Sequence, residues 1–300
     1  MSTSTLWIRA TPLIFVLIWS TGFIVARYGM PYAPPMSFLA LRYALSVFCF
    51  LLWAYFSTAS WPKQKSQWLH LAMTGILLQA AYLGGVWTAV KLGMGAGMVA
   101  LLVSLQPILT ALWISGTGGS IQARQWLGLG FGLAGLLLVV GTKLGQGEVT
   151  GINIGFAIFA LLGITIGTLY QKRFVSHKDV RSANAIQLMA ALLVTLPFAY
   201  VETEPMQWLL PEHSPNLELI GALTWSVLGL TLGGSSLLYL LILRGAASSV
   251  TSLFYLVPPT TAVMAWVLFA EPITLWTVGG ILLSTVGVGL IIQRPNKLST

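Results

Sequence analysis

The sequence predicts an all-α polytopic membrane protein of ten transmembrane helices, organised as two inverted five-helix repeats. Three observations carry that prediction. Hydrophobic residues make up 56% of the 300 and charged residues only 7%, with a mean hydropathy of +0.85, a balance that fits no water-soluble fold. Long apolar runs recur along the whole chain, and the second part of the chain repeats the first in outline. At about 20 residues per span, ten helices use about two thirds of the chain and leave no room for a soluble catalytic domain.

Apolar runs bounded by charges, Pro and Gly place the first five spans near 10–29, 35–56, 67–90, 94–115 and 124–142. The other five lie near 151–171, 182–201, 217–240, 246–269 and 272–293. The first resembles the apolar core of a signal peptide, but no small-residue cleavage site closes it, so it reads as an uncleaved anchor. The second carries Arg42 and Cys49; a single thiol forms no intramolecular disulfide and reads as packing. Pro107 interrupts the fourth span, and Pro258 and Pro259 the ninth, whereas Pro197 in the seventh has no counterpart. Glycines at small-xxx-small spacing in the fifth, sixth and eighth let helices approach closely. Gly130-Phe131-Gly132-Leu133-Ala134-Gly135 matches a dinucleotide fingerprint by letters only, because it lies inside an apolar helix instead of after a strand.

The formal charge of +8, from 15 Lys+Arg against 7 Asp+Glu, reports orientation and not nucleic-acid binding. Eleven basic residues, Arg9, Lys63 and Lys172 among them, fall on one side of the alternating loops, against Arg27, Lys91 and Lys143 on the other. Both termini are therefore expected in the cytoplasm, with the chain in a cell membrane of the bacterial inner-membrane type. Glu202, Glu204 and Glu212 lie in the longest external loop.

An internal shift of 151 lays Gln106-Pro107-Ile108-Leu109-Thr110-Ala111 over Val257-Pro258-Pro259-Thr260-Thr261-Ala262. A shift of 145 lays Gly22 on Gly167, Arg27 on Lys172 and Ala40 on Ala185. Five spans is an odd number, so the second copy enters the membrane from the opposite face. The expected units are 6–142 and 151–293.

Trp19-Ser20-Thr21-Gly22-Phe23, Phe38-Leu39-Ala40-Leu41-Arg42-Tyr43, Leu105-Gln106-Pro107, Tyr255-Leu256-Val257-Pro258 and Phe269-Ala270-Glu271-Pro272 resemble the EamA-type members of the drug/metabolite transporter superfamily. The resemblance covers nearly the whole chain. It implies the five-plus-five fold, a central cavity, and export of small metabolites or drugs. Where that family often carries a second Glu at the end of the fourth helix, this chain has Ser120.

Proline inside a span removes a backbone donor, and matched interruptions in the two halves point to a transporter site. Pro107, Pro258 and Pro259 are thus the expected hinges, with a static kink as the alternative. Polar and amphipathic aromatic residues near span centres mark a cavity, since lipid offers them no partner. The expected lining comprises Trp19, Ser20, Thr21, Gln79, Tyr82, Trp87, Ser104 and Gln106 from the first half, and Thr165, Tyr170, Ser235, Tyr239 and Tyr255 from the second. Such a pocket suits amphipathic small-molecule substrates, amino acids and drugs included, and not bare ions. Arg42 reads as a gate or as a structural charge that pairs or snorkels outward. Glu271, ahead of Pro272, reads as a cap on the helix it starts, with a gate as the alternative.

No span centre carries Asp or Glu, so protons as a coupling ion and facilitated diffusion both stay open. His70, His177 and His213 lack ligand spacing, and neither metal nor cofactor is expected. An intramembrane enzyme would need a catalytic set that the sequence lacks. A non-transporting scaffold would suit the glycines but not require paired prolines.

Overall fold

The computed structural model describes residues 3–117, 123–143, 148–177, 179–237 and 256–291. They form α1 (Thr3–Gly29), α2 (Pro35–Phe56), α3 (Lys65–Lys91), α4 (Ala96–Val103 and Gln106–Gly116) and α5 (Ala123–Lys143) in the first half. The second half holds α6 (Gly151–Phe174), α7 (Val180–Val201), α8 (Leu217–Ser235), α9 (Val257–Phe269) and α10 (Leu275–Ile291). The expected span 246–269 enters the described residues only at its second part.

Several helix ends have a local cause. Thr150 and Asn153 form a reciprocal capping box at the start of α6, satisfying donors that have no helical partner. The Asp179 and Asn216 side chains cap α7 and α8 more simply, accepting from the Arg181 and Leu219 N–H groups. Ala270 ends α9 in the left-handed region at φ 53°, and 270–274 run outside any helix, so α10 begins three residues later than the apolar run suggests. α3 and α8 are not uniform. Each contains a π-helical segment, Ile76–Ala81 and Ser226–Ser235 respectively, which the hydrophobic pattern gives no sign of.

Packing repeats between the halves. α3 lies on α6 and α7, and α8 correspondingly on α1 and α2; α2 pairs with α7, α4 with α9 and α5 with α10. The last of these pairs is a glycine seam: a Cβ on Gly135 would stand 2.5 Å from the Gly280 oxygen, and one on Gly287 2.5 Å from that of Gly128. Gly in these positions brings the two backbones into direct contact. Phe48, Leu137, Leu193, Phe198, Val267 and Leu282 point outward and are exposed, as a lipid-facing surface requires.

Candidate functional site

α4 is broken in its middle. Its first segment ends at Val103, Leu105 takes φ −75°, ψ −2°, and Gln106-Pro107 opens the second segment. α9 opens with nearly the same backbone, Leu256 at φ −81°, ψ −13° ahead of Val257-Pro258. Proline there costs no hydrogen bond, because the first-turn N–H has no helical acceptor. The prolines thus stand at new helix starts and not inside a continuous ladder.

These starts border a small cleft lined by Trp19 and Phe23 of α1, Ala100, Val103, Ser104, Gln106 and Pro107 of α4, Ile164 of α6 and Val257 of α9. Gln106 Nε2 donates to Thr168 Oγ1 at 2.9 Å, tying the break to α6. Thr168 is not among the expected residues; a hydroxyl within the last two turns of an apolar span is the signal the sequence offers.

The expected lining residues divide into separate groups. Trp19, Ser104 and Gln106 meet at the cleft. Gln79, Tyr82 and Trp87 are buried in α3, the last two beside Arg42 and Gln79 against the Tyr43 hydroxyl. Tyr170 lies near the far end of α6, where its hydroxyl bonds His70 Nδ1 at 2.8 Å. Thr165 donates to the Leu161 oxygen of its own helix at 2.6 Å. Thr21 accepts from Trp225 Nε1 at 2.8 Å, Ser20 is fully buried and Ser235 is half-buried in α8. Tyr239 and Tyr255 lie outside the described residues.

Arg42 does not snorkel. It is 4% exposed and donates Nε and Nη2 to Thr231 Oγ1 at 3.1 and 3.0 Å. Its guanidinium carbon stands 5.9 Å from the Trp87 ring centre, within cation–π range.

The acids gather at the end where α2 and α4 start. Glu271 does not cap its own helix: its Oε1 accepts from the Ala96 N–H at 3.1 Å, at the start of α4 in the other half. The reason is the left-handed turn at Ala270, which directs the chain back over α4. Glu202 does the same for α2, accepting from the Met36 and Ser37 N–H groups at 2.9 and 2.7 Å. A carboxylate at a helix N-terminus is favoured by the macrodipole. Lys91 and Glu204 pair at 2.8 Å, and a hydrogen bond with Glu218, helped by burial, raises the Tyr32 phenol above its ordinary pKa.

At the opposite end Asp179 joins the halves. It accepts from Ser60 N at 2.8 Å and from Arg181 Nε and Nη2 at 2.9 and 2.7 Å. Burial pushes its carboxyl up, but the hydrogen bonds and charge of Arg181, with the Ser60 amide, outweigh this and hold it well below the usual carboxylate range. Among the described residues, no three His, Cys, Asp or Glu cluster as a metal site would need.

Known proteins resemble this chain. Aligned over 285 residues, the uncharacterized transporter YvbV of Bacillus subtilis is 25% identical, covering 92% of this chain and 88% of its own. A probable amino-acid metabolite efflux pump of Escherichia coli is 24% identical over 188 residues, 62% of this chain and 60% of the pump's length. A crystal structure superposes at a TM-score of 0.66 with 16% identity, over 94% of this chain and 95% of that one, which supports the fold alone. The EamA-like transporter family matches twice, over residues 6–141 and 151–293, and with ten apolar helices in two matched halves the chain belongs to that family as a multi-pass membrane transporter.

Proposed function

We propose that this transporter exports small amphipathic metabolites, amino acids and related compounds or drugs, by alternating access across a bacterial inner membrane. The observation that carries the reading is the pair of helix starts at Pro107 and Val257-Pro258, which border one cleft from opposite halves. Units 6–142 and 151–293 would rock about that cleft, as inverted repeats do. Trp19 and Phe23 offer aromatic faces, and Ser104 and Gln106 offer neutral polar groups, a lining suited to a solute with an apolar body and a polar head. The similarity to a probable amino-acid metabolite efflux pump of E. coli supports an amino-acid-like cargo. By the distribution of Lys and Arg both termini face the cytoplasm. The Glu202 and Glu271 caps then lie at the outer side and tie the halves together there, as a form closed to the outside would require.

Flux from proteoliposomes against a panel of amino acids, related metabolites and amphipathic drugs, with and without a pH gradient, tests the reading and assigns the coupling. Absence of flux for every solute would overturn it. Pro107→Ala with Pro258→Ala should slow flux at unchanged folded yield, and Gln106→Ala should alter its substrate dependence. Unchanged rates in all of these remove the cleft from the transport path.

A further inference from the structure

The two π-helical segments occupy equivalent places in the two halves: the offset that carries Pro107 onto Pro258 carries 76–81 onto 227–232, inside Ser226–Ser235. Such segments are rare and concentrate at functional sites, because the extra residue per turn weakens the hydrogen-bond ladder. Neighbouring side chains of α2 engage both of them. Tyr43 donates its hydroxyl to the Gln79 oxygen in the first at 2.7 Å, and Arg42 donates to Thr231 in the second.

What surrounds the guanidinium is neutral. Its acceptor is a hydroxyl, its stacking partner is Trp87, and the titratable groups that reach it are the phenols of Tyr43 and Tyr82. Among the described residues no Asp or Glu pairs with it, and Nη1 makes no hydrogen bond. A hydroxyl and an aromatic face solvate a cation without neutralising it, so the site holds a full positive charge in a medium where charge is costly. A guanidinium with a free edge matches the two oxygens of a carboxylate.

We propose that Arg42, with the Tyr82 hydroxyl and the Trp87 face beside it, is the recognition point for the carboxylate of the carried solute. The proposal deepens the transport reading and rests on it. The apolar part of the solute occupies the cleft and its carboxylate reaches the arginine across the seam between α1 and α8. That seam is one layer of side chains, closed in this form: Trp19, which lines the cleft, comes 4.0 Å from a Cβ on Gly234, and Leu230 3.7 Å from one on Gly22, both van der Waals contacts, so these side chains must give way for the carboxylate to reach the arginine. A structural arginine would hold α2 on α8 and show no preference among ligands.

The test is a thermal shift of the detergent-solubilised full chain with phenylacetate and with phenylacetamide, which differ at the carboxylate alone. Wild type should be stabilised at a concentration at least about tenfold lower for the acid, and Arg42→Gln should erase that preference. Equal stabilisation of wild type by the two, or none by either, overturns the proposal whatever the variant does. So does a preference that survives in Arg42→Gln. If that variant folds poorly, Arg42→Lys keeps the charge without the fork and should shrink the preference; an undiminished one also overturns it. Flux in vesicles separates the two readings. Acid-selective binding without flux of any solute sinks the transport reading and leaves the anion site standing, and flux with no acid preference does the reverse.

Discussion

The junction of α2 with α8 and that of α7 with α3 are equivalent by the internal repeat, yet they are filled in opposite ways. The offset that carries Ala40 onto Ala185 carries Arg42 onto Gln187, and the offset that carries Pro107 onto Pro258 carries Gly75 onto Ser226. Where α7 meets α3, a Cβ on Gly75 would stand 2.1 Å from the Gln187 backbone oxygen, so backbone touches backbone. The Gln187 side chain is 4% exposed, and its Nε2 has no partner among the described residues. Where α2 meets α8, the matching position is Ser226, fully buried, and Arg42, Thr231 and Trp87 fill the space with side chains. Duplication preserved the packing plan and not the chemistry. A junction made of backbone acts as a fixed fulcrum, whereas one made of side chains can be rearranged by a ligand without moving helices.

The largest effect expected from this contrast is at the tight junction. Gly75→Ser has no space and must displace α7, which should cost about 3 kcal/mol, the upper part of the range for overpacking. Ser226→Gly at the wide junction should cost only about 1 kcal/mol, the helix penalty of glycine. Folded yield by size exclusion and Tm in detergent report both; equal losses would break the comparison. Next comes the polar content. Thr231→Val removes the acceptor of a buried guanidinium and should cost about 2 kcal/mol, while Gln187→Leu removes an amide whose nitrogen already lacks a partner and should change stability by less than about 1 kcal/mol. A costly Gln187→Leu would mean that the second junction is also polar in character.

Smaller effects are expected where the second half caps the first. Glu202→Gln and Glu271→Gln each keep an acceptor and lose the charge at a helix N-terminus, worth about 1 kcal/mol. Amide exchange should rise about fivefold at Met36 and Ser37 in the first variant and at Ala96 in the second, since 1.4 kcal/mol corresponds to about tenfold. Each change should stay local to α2 or to α4. Spread of the faster exchange into α3 or α7 would show that the fixed junction depends on these ties.

Much of this architecture was readable because a bilayer forces every spanning backbone to satisfy itself, so apolar length maps directly onto helices. The prolines mark the break in α4 and the start of α9 for a similarly local reason. What escaped the sequence is tertiary. Nothing in Ile76-Leu77-Leu78-Gln79-Ala80-Ala81 distinguishes a π-helical segment from an ordinary one, since the difference lies in which carbonyl accepts. Glu271 was read against its own helix because the left-handed turn at Ala270, a residue with no preference for it, redirects the carboxylate to α4. Thr165 and Thr168 look alike in the sequence, yet only Thr168 bonds Gln106, and helix rotation alone decides that.

The mildest test of the comparison concerns what keeps α7 in place. Asp179 caps α7 and, through Ser60, holds it to the chain just beyond α2. Its carboxyl lies below the usual range in the folded protein, so it contributes stability above the unfolded value of about 3.9 and loses it as pH falls through the lower folded value. Asp179→Asn keeps a capping oxygen but loses the charge that pairs with Arg181, so it should cost about 1 kcal/mol of stability at pH 7, read as a fall in Tm. It should also shed part of the wild-type decline in Tm between about pH 4 and pH 3. The same variant should leave the acid preference assigned to Arg42 unchanged, because it loosens α7 without touching the α2–α8 junction. Loss of that preference would mean that the two junctions move as one body, and that the rigid and the adaptable side cannot be separated.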